Sequence, residues 1–238
     1  MDIERVKTYV EGLDDVMGGG VPKGHVVLVS GLPGTMKSSL TYAILHGNAL
    51  ADVPGLYVSL EQTKESLEMQ MRGMGFAAED RAKGVAIADV AAIRKDVAKG
   101  KSTAWLEFLR RTLDTRKKIG TFDLLTIDSL EALEVLAKFK DHRREIYRLF
   151  EWLRDLGVTS FLITERPDWV IAGHVIQGRW DEDFLADGVF HLRQHLVTDL
   201  EVQRRLRVVK MRGTKHESGY LALVLDEGRF KVTRAMSP

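Results

Sequence analysis

The sequence of 238 residues contains no cysteine, which excludes disulfide bonds and metal sites built from thiolates. It also lacks an apolar run of about eighteen residues and a basic, apolar leader pattern, so neither a membrane span nor secretion is predicted. Lys and Arg (35) nearly balance Asp and Glu (34), so no global field would attract nucleic acid or membranes. These absences favour a cytoplasmic protein.

An apolar content of 45% is enough for one substantial core, and two full domains would be cramped in this length. We therefore expect a single domain over 1–238, with a glycine-rich lead-in over 1–24. Buried strands are predicted at 25–30, 55–60, 85–88, 122–127 and 158–164. Helices are predicted at 37–51, 64–74, 103–118 and 143–156. This alternation predicts an α/β fold with a mostly parallel central sheet flanked by helices.

Beyond Asp187 the pattern changes, because strand-like segments follow one another without an intervening helix. They lie at 188–194, 203–211, 221–226 and 230–233. Short turns between strands are typical of antiparallel pairing, so a C-terminal antiparallel extension of the sheet is predicted.

A glycine-bearing turn between the first predicted strand and its helix has the pattern of a phosphate-binding loop. Its amides, together with the helix amino terminus, would surround the phosphates of a nucleoside triphosphate. Lys37 would reach the terminal phosphates, and the Ser38 hydroxyl would bind Mg²⁺. The motif has one departure, because Met36 stands where glycine is expected, which would alter affinity or loop geometry. The residues expected to contact nucleotide are Gly31, Leu32, Pro33, Gly34, Thr35, Met36, Lys37, Ser38 and Ser39.

Polar residues follow three of the predicted strands, and parallel strands would bring them to one crevice. Asp128 is a candidate Mg²⁺ ligand, although Asp128-Ser129 also has the pattern of a helix cap. Glu61 could orient an attacking water, although a glutamate at a strand end is common on protein surfaces. Thr164 or Glu165 could contact the γ-phosphate, or could form a simple turn.

A second cationic feature lies far along the chain, where Lys210, Arg212, Thr214 and His216 surround a glycine turn. Spacing alone fits either a solvated hairpin or an arginine finger that supplies charge to a phosphate on a neighbouring subunit.

Taken together, these segments resemble a single ATPase domain of the KaiC family, which has the RecA-like P-loop NTPase fold. The resemblance rests on Gly12-Leu13-Asp14, Gly18-Gly19-Gly20-x-Pro22-x-Gly24, the phosphate loop, Ser59-Leu60-Glu61, Ile127-Asp128-Ser129, Ile163-Thr164-Glu165-Arg166 and Lys210-Met211-Arg212-Gly213-Thr214-x-His216. It extends over nearly the whole sequence. The glycine approach and the terminal Lys-x-Arg-Gly-Thr-x-His are specific to this family.

The resemblance implies a ring, usually a homo-hexamer, that binds ATP and Mg²⁺ at subunit interfaces. It implies that Glu61 is the first of the family's paired catalytic glutamates and that Asp128 is its Walker B aspartate. It also implies that the terminal cluster (Lys210, Arg212, Thr214 and His216) reaches the adjacent subunit's nucleotide. Gln62 replaces the second glutamate, so slow turnover is expected. No serine or threonine occurs over 165–197, so self-phosphorylation there is not expected.

Three functions are compatible with these residues. The first is a ring ATPase whose nucleotide state switches its assembly or its affinity for a protein partner. The second is a DNA-handling motor or recombinase, which a count of six acids against two arginines over 165–187 argues against. For a DNA-binding protein Trp169 and Trp180 would stack on bases, whereas the alternative use of these aromatic residues, which we favour, is burial in a subunit interface. The third is a scaffold that binds ATP without hydrolysing it.

Overall fold

The structure, a computed structural model, describes residues 3–76, 84–89, 105–166 and 182–234. The strands are β1 (Arg5–Val6), β2 (Val21–Pro22), β3 (Val26–Gly31), β4 (Gly55–Ser59), β5 (Ala86–Asp89), β6 (Leu124–Asp128), β7 (Thr159–Glu165), β8 (Gly188–Leu196), β9 (Val202–Met211), β10 (Leu221–Asp226) and β11 (Arg229–Arg234). The helices are α1 (Leu13–Val16), α2 (Lys37–Leu50), α3 (Lys64–Gly73), α4 (Trp105–Lys118), α5 (Leu130–Ala137), α6 (His142–Asp155) and α7 (Glu182–Leu185).

The strands β3 to β11 form one nine-stranded sheet in the order β11-β10-β9-β8-β3-β7-β6-β4-β5. Neighbouring strands from β8 to β5 run parallel, whereas β8, β9, β10 and β11 pair antiparallel in succession. The predicted α/β class, with a mostly parallel sheet and a C-terminal antiparallel extension, is confirmed. All the parallel strands point the same way, so their carboxyl ends form one edge.

Strand β3 lies inside the parallel part of the sheet and is buried on both faces. Val27 and Val29 pack into a core shared with α2 and the antiparallel extension. Val26 and Leu28 pack into a second core formed with α4, α5 and α6. A strand covered by helices on both faces has no solvent side, which explains its nearly continuous apolar sequence.

Two expectations about the elements need correction. Strand β8 was expected to belong wholly to the antiparallel extension, but it pairs parallel with β3, with Val27 opposite Gly188. Antiparallel pairing begins only between β8 and β9. Helix α5 has no counterpart among the predicted helices, because its eight residues are too few for clear periodicity. The stretch 90–101, expected to be irregular or weakly helical, and the tryptophans Trp169 and Trp180 lie outside the described residues.

Within the described ranges, none of the helices combines the length and the apolar character needed to cross a bilayer.

Candidate functional site

The phosphate loop joins the carboxyl end of β3 to the amino end of α2, where the sequence predicted it. A Cβ on Gly31 would lie 2.2 Å from the carbonyl oxygen of Leu192 on β8, so only glycine fits there. Met36 precedes α2 with φ 73° and ψ 29°, in the left-handed region that favours glycine. The methionine therefore adopts the backbone conformation for which the motif normally supplies glycine.

A pocket of about 450 Å³ opens beside this loop. Of the predicted nucleotide contacts, its lining includes Pro33, Gly34, Met36, Lys37, Ser38 and Ser39. Gly31, Leu32 and Thr35 shape the loop without lining the pocket. The Thr35 hydroxyl, for example, donates to the Leu32 carbonyl at 2.8 Å.

Lys37 lies along the loop and is only 8% exposed. Its Nζ donates to the carbonyl oxygens of Gly31 at 2.8 Å and Leu32 at 3.1 Å. Burial lowers the pKa of Lys37, whereas nearby carboxylates oppose that shift, first Glu165 and Asp128 and then Glu131 and Glu61. The ammonium group is thus held at the pocket by backbone carbonyls and surrounded by acidic side chains.

Asp128 ends β6 next to the end of β4, because Ser59 and Asp128 are register partners in the parallel pair. The buried Tyr57 hydroxyl donates to Asp128 Oδ2 at 2.5 Å. Burial raises the pKa of Asp128, against the hydrogen bonds from Tyr57 and Ser38 that lower it. The predicted metal ligands Ser38 and Asp128 therefore line the same pocket, and Tyr57 is a partner of Asp128 that the sequence did not reveal.

Glu61 lies on the same edge and is exposed to the pocket. Its Oε1 accepts a hydrogen bond from the Ser129 hydroxyl. Ser129 also caps α5 by accepting from the Ala132 amide at 3.3 Å, so the capping interpretation of Asp128-Ser129 holds for Ser129. Helix capping and the placement of Glu61 therefore share one hydroxyl group.

Of the two candidates at the end of β7, only Glu165 lines the pocket. Thr164 is fully buried, and its hydroxyl donates to Glu131 Oε1 at 2.5 Å. Thr164 is therefore not placed to contact a γ-phosphate in the pocket, because the alternation of side chains along β7 turns it into the core.

Two residues of the antiparallel extension reach the phosphate loop and were missed by the sequence analysis. Gln194 on β8 and Arg204 on β9 are register partners, and each donates to the Gly34 carbonyl at 3.3 Å. Arg204 also lines the pocket. No local motif marks either residue, since they approach the loop only through the pairing of β3 with β8 and of β8 with β9.

The four residues of the terminal cluster lie at the other end of the sheet. Arg212 donates its backbone amide to the carbonyl of Asp187, directly before β8, and its carbonyl lies 3.1 Å from Nε2 of His25, directly before β3. The phosphate loop begins where β3 ends, five residues later, which corresponds to roughly 17 Å of extended strand. An arginine at the start of β3 cannot reach the phosphate loop of its own chain.

Within the terminal cluster, the cations are engaged by backbone carbonyls as well as exposed to solvent. Lys210 Nζ donates to the carbonyl oxygens of Asp183 at 3.0 Å and Phe184 at 3.1 Å. Burial lowers the pKa of Lys210, and neighbouring Arg212 lowers it further. Thr214 accepts from Arg5 at 3.0 Å, and its carbonyl lies 3.2 Å from Nδ1 of His216. The turn is therefore anchored by contacts within its own chain, while Arg212 keeps 49% of its side chain exposed.

The pocket offers the chemistry that Mg²⁺ requires without forming a closed metal site. Among the residues that the structure describes, no group of three or more His, Asp or Glu side chains could enclose a metal ion. The adjacent Ser38 hydroxyl and Asp128 carboxylate supply hard oxygen ligands, which suits a Mg²⁺ ion that also binds phosphate oxygens and water. The residues therefore fit Mg²⁺ as a companion of a bound nucleotide.

The acid count that argued against DNA binding changes once ion pairs are considered. Glu182 and Asp183 pair with the buried Arg166, and Asp187 pairs with Arg154 and Arg212. These three acids are therefore engaged in internal ion pairs, and Glu182 and Asp187 are buried, so they add little to an exposed acidic face. Asp168, Arg179 and Asp181, which also entered the count, lie outside the described residues.

Comparisons with known proteins identify the family and the fold. The family profile described as "ATPase: KaiC" matches residues 6–236. The chain is 31% identical to the circadian clock oscillator protein KaiC of Picosynechococcus sp., over 95% of this chain and 44% of that protein. It is also 31% identical to a UPF0273 protein of Aeropyrum pernix, over 90% of this chain and 87% of that protein.

Among solved structures, a KaiC-like protein from the hyperthermophilic archaeon Pyrococcus horikoshii OT3 has the same fold. The TM-score is 0.79 at 24% identity, and the match covers 98% of this chain and 100% of that chain. The chain spans less than half the length of the KaiC clock protein, 44%, so it corresponds to one KaiC-like unit. The chain belongs to the KaiC family of P-loop ATPases.

Proposed function

We propose that the chain acts as a single domain over 1–238 that hydrolyses ATP slowly within a cytoplasmic ring, as a homo-hexamer. In this proposal each nucleotide is bound by the phosphate loop of one subunit, and the terminal cluster of the next subunit completes the site. The nucleotide state would switch ring assembly or affinity for a protein partner.

One observation carries this proposal: the phosphate loop and the terminal cluster occupy opposite ends of the same sheet. Lys37 lies at the carboxyl end of β3, and Arg212 lies beside its amino end. Cations so far from the phosphates of their own chain can act on nucleotide only if a second copy presents its phosphate loop to them. Repetition of such a head-to-tail contact generates a ring when the rotation closes.

The charge of the pocket supports the same proposal. Carboxylates of Glu61, Asp128 and Glu165 line it, whereas Lys37 and Arg204 are its lining cations. A bound triphosphate would add further negative charge, and charge that develops on phosphate oxygens in the transition state needs positive groups nearby. We propose that Lys210 and Arg212 of the adjacent subunit supply this charge, with Thr214 and His216 as further contacts.

We assign the remaining roles to the residues around the phosphate loop. The loop amides and Lys37 would hold the phosphates, and Glu61, oriented by the Ser129 hydroxyl, would accept a hydrogen bond from the attacking water. Mg²⁺ held by Ser38 and Asp128 would neutralise phosphate charge and orient the phosphate chain.

The test mixes two variants whose activity is reduced but measurable. Lys37→Ala subunits keep an intact terminal cluster, and Arg212→Ala subunits keep an intact phosphate loop, so mixed rings contain some complete sites. We expect the rate of phosphate release to rise on mixing above that of either variant alone. The matched control replaces the second partner by Lys37→Ala/Arg212→Ala, which forms no complete site at any ratio. If rings shown by mass to contain both variants gave no increase in phosphate release, the proposal that one subunit completes the nucleotide site of the next would be refuted.

A second measurement separates hydrolysis from binding without turnover. Glu61→Gln removes a carboxylate while keeping the shape of the side chain, so we expect a loss on the order of 10² in the rate of phosphate release. Equal rates in both proteins would remove Glu61 from the reaction. Nucleotide-dependent assembly without any phosphate release would favour the scaffold.

A further inference from the structure

Arg212 is held by its own chain at the junction between α7 and β8. Its Nη1 donates to Asp187 Oδ1 at 2.7 Å, and its Nη2 donates to the Phe184 carbonyl at 2.8 Å. A longer contact of 3.5 Å joins Nη1 to the carbonyl of Leu185. Its backbone is fixed as well, through the Asp187 carbonyl at 2.7 Å and Nε2 of His25 at 3.1 Å. Side chain and backbone are therefore anchored at the same place.

Asp187 is itself rigidly placed and only 7% exposed. Its Oδ2 accepts from the Val26 amide at 3.1 Å and from Arg154 Nε at 3.3 Å, and its Oδ1 accepts from Arg154 Nη2 at 3.2 Å. Burial raises the pKa of Asp187, but the bonds from Val26, Arg154 and Arg212 outweigh burial, so the pKa lies below its usual value. Asp187 is thus an ionised acceptor fixed between β3, α6 and the terminal cluster.

These contacts leave some N–H donors of the Arg212 guanidinium group free to bind a ligand. A guanidinium group carries five N–H donors, and the two shorter contacts and the longer one engage only some of them. The side chain is 49% exposed. Because one carboxylate is shared by Arg154 and Arg212, positive charge persists at the junction. The arginine is therefore oriented without being neutralised.

We propose that Asp187 is a positioning residue that presets Arg212 for the nucleotide of the neighbouring subunit. This inference rests on the proposed function. A free arginine would lose its rotamer freedom each time the interface forms, and that ordering weakens binding. In this chain Asp187 and the Phe184 carbonyl hold the side chain before the neighbour arrives. The competing role for Asp187 is purely structural, as a link between β3, β8 and α6.

The experiment is a double-mutant cycle on ATP hydrolysis with Asp187→Asn, Arg212→Ala and the combined variant. Asp187→Asn should lower kcat about tenfold, the size of ordering one long side chain, with KM for ATP changed less than about threefold. In the Arg212→Ala background the same change should alter kcat less than about twofold. An equal loss of kcat in both backgrounds would overturn the inference.

Arg154→Gln is the matched control, because it removes the other guanidinium from Asp187 and leaves Arg212 in place. We expect it to lower the midpoint of urea unfolding while kcat stays within about twofold of the parent. If Arg154→Gln lowered kcat as much as Asp187→Asn, general loosening of the junction would explain both, and Asp187 would not act through Arg212.

The inference stays testable if Asp187→Asn does not fold or if Arg212→Ala has no effect. If Asp187→Asn does not fold, Asp187→Glu keeps the charge and moves it by one methylene, and the cycle should show a smaller loss that again disappears with Arg212→Ala. If Arg212→Ala alone leaves kcat unchanged, both the trans role of Arg212 and the role of Asp187 are wrong. An effect of Arg212→Ala without any effect of Asp187→Asn or Asp187→Glu refutes only the positioning role.

Discussion

The substitution Asp128→Asn should raise the free energy of unfolding of the protein without ligands and lower it, relative to the wild type, in the presence of Mg-ATP. Asp128 is largely buried at the end of β6, and burial raises its pKa despite hydrogen bonds from Tyr57 and Ser38. The nearby carboxylate of Glu61 raises it as well. Asparagine has the same size and can still accept from Tyr57, but it carries no charge. Burial outweighs the attraction of Lys37, so without Mg²⁺ the wild-type carboxylate is an unfavourable charge that the variant lacks.

At pH 7 without nucleotide or metal, we expect the variant to be more stable by on the order of 1 kcal/mol, the net size of one buried polar interaction. For a chain of this length that corresponds to a rise of about 2–4 °C in Tm. The pH dependence of stability follows from the raised pKa. The wild type loses stability as the pH rises through the folded pKa of Asp128. The advantage of the variant should therefore shrink as pH is lowered.

With Mg-ATP the order should reverse. A ligand at one hundred times its Kd stabilises the native state by about 2.7 kcal/mol, and we expect the Mg²⁺-dependent part of that gain in the wild type only. The assay is urea unfolding with EDTA, with ATP alone and with Mg-ATP. Asp123→Asn is the matched control just before the same strand, since Asp123 is 52% exposed and pairs with Lys117 on the surface. It should change stability by less than about 0.5 kcal/mol in every condition.

The reasoning fails if Asp128→Asn is less stable than the wild type in EDTA. Asp128 would then serve as a structural acceptor for Tyr57 and Ser38, rather than as a carboxylate kept for a cation. It fails equally if the gain from Mg²⁺ is the same in both proteins.

Three other substitutions test the framework of the site. Arg166→Met should reduce the free energy of unfolding by about 3–5 kcal/mol, because the Glu182 carboxylate, 3% exposed, would lose its buried partner; combining it with Glu182→Gln should recover part of the loss in urea unfolding. Gly31→Ala should abolish ATP binding in calorimetry and destabilise the fold by at least about 2 kcal/mol, because its Cβ would lie 2.2 Å from a backbone oxygen of β8. Gly73→Ala, with open space around its Cβ, should be tolerated, and equal effects of the two would contradict the packing argument. Finally, the lowered pKa of Asp187 stabilises the fold above its unfolded pKa, and this contribution is lost as pH falls through the folded pKa; the unfolding free energies of the wild type and Asp187→Asn should therefore converge as the carboxylate becomes protonated at acid pH, and a constant gap would contradict this sign.

Most of the nucleotide side of the site could be predicted from local sequence. The loop from Gly31 to Ser38 joins a strand to a helix, and a glycine-bearing turn at a helix amino terminus is a local signal for phosphate binding. Glu61 and Asp128 each end a buried strand, and parallel pairing brings the ends of neighbouring strands to one edge. Their proximity followed from the fold class alone.

Other parts of the site depend on contacts between distant segments. Arg204 reaches Gly34 across 170 positions of sequence because β9 pairs with β8, and no motif around Arg204 indicates this. Tyr57 appeared to be an ordinary apolar strand residue, yet its hydroxyl binds Asp128. The sequence left open whether Thr164 or Glu165 faces the pocket, and only the packing of β7 in the sheet shows that Thr164 is buried and Glu165 lines the pocket.

By itself, the sequence determined the α/β class, the position of the phosphate loop and the strand ends that carry the acidic residues beside it. These depend on local periodicity and on short-range backbone geometry. It could not decide whether Lys210 and Arg212 belong to a solvated turn or to a site. Only the tertiary structure placed them at the amino end of β3, anchored on α7 and Asp187 and turned away from their own phosphate loop. The physical reason is that the position of a charge relative to a distant ligand depends on strand order and direction, which long-range packing sets.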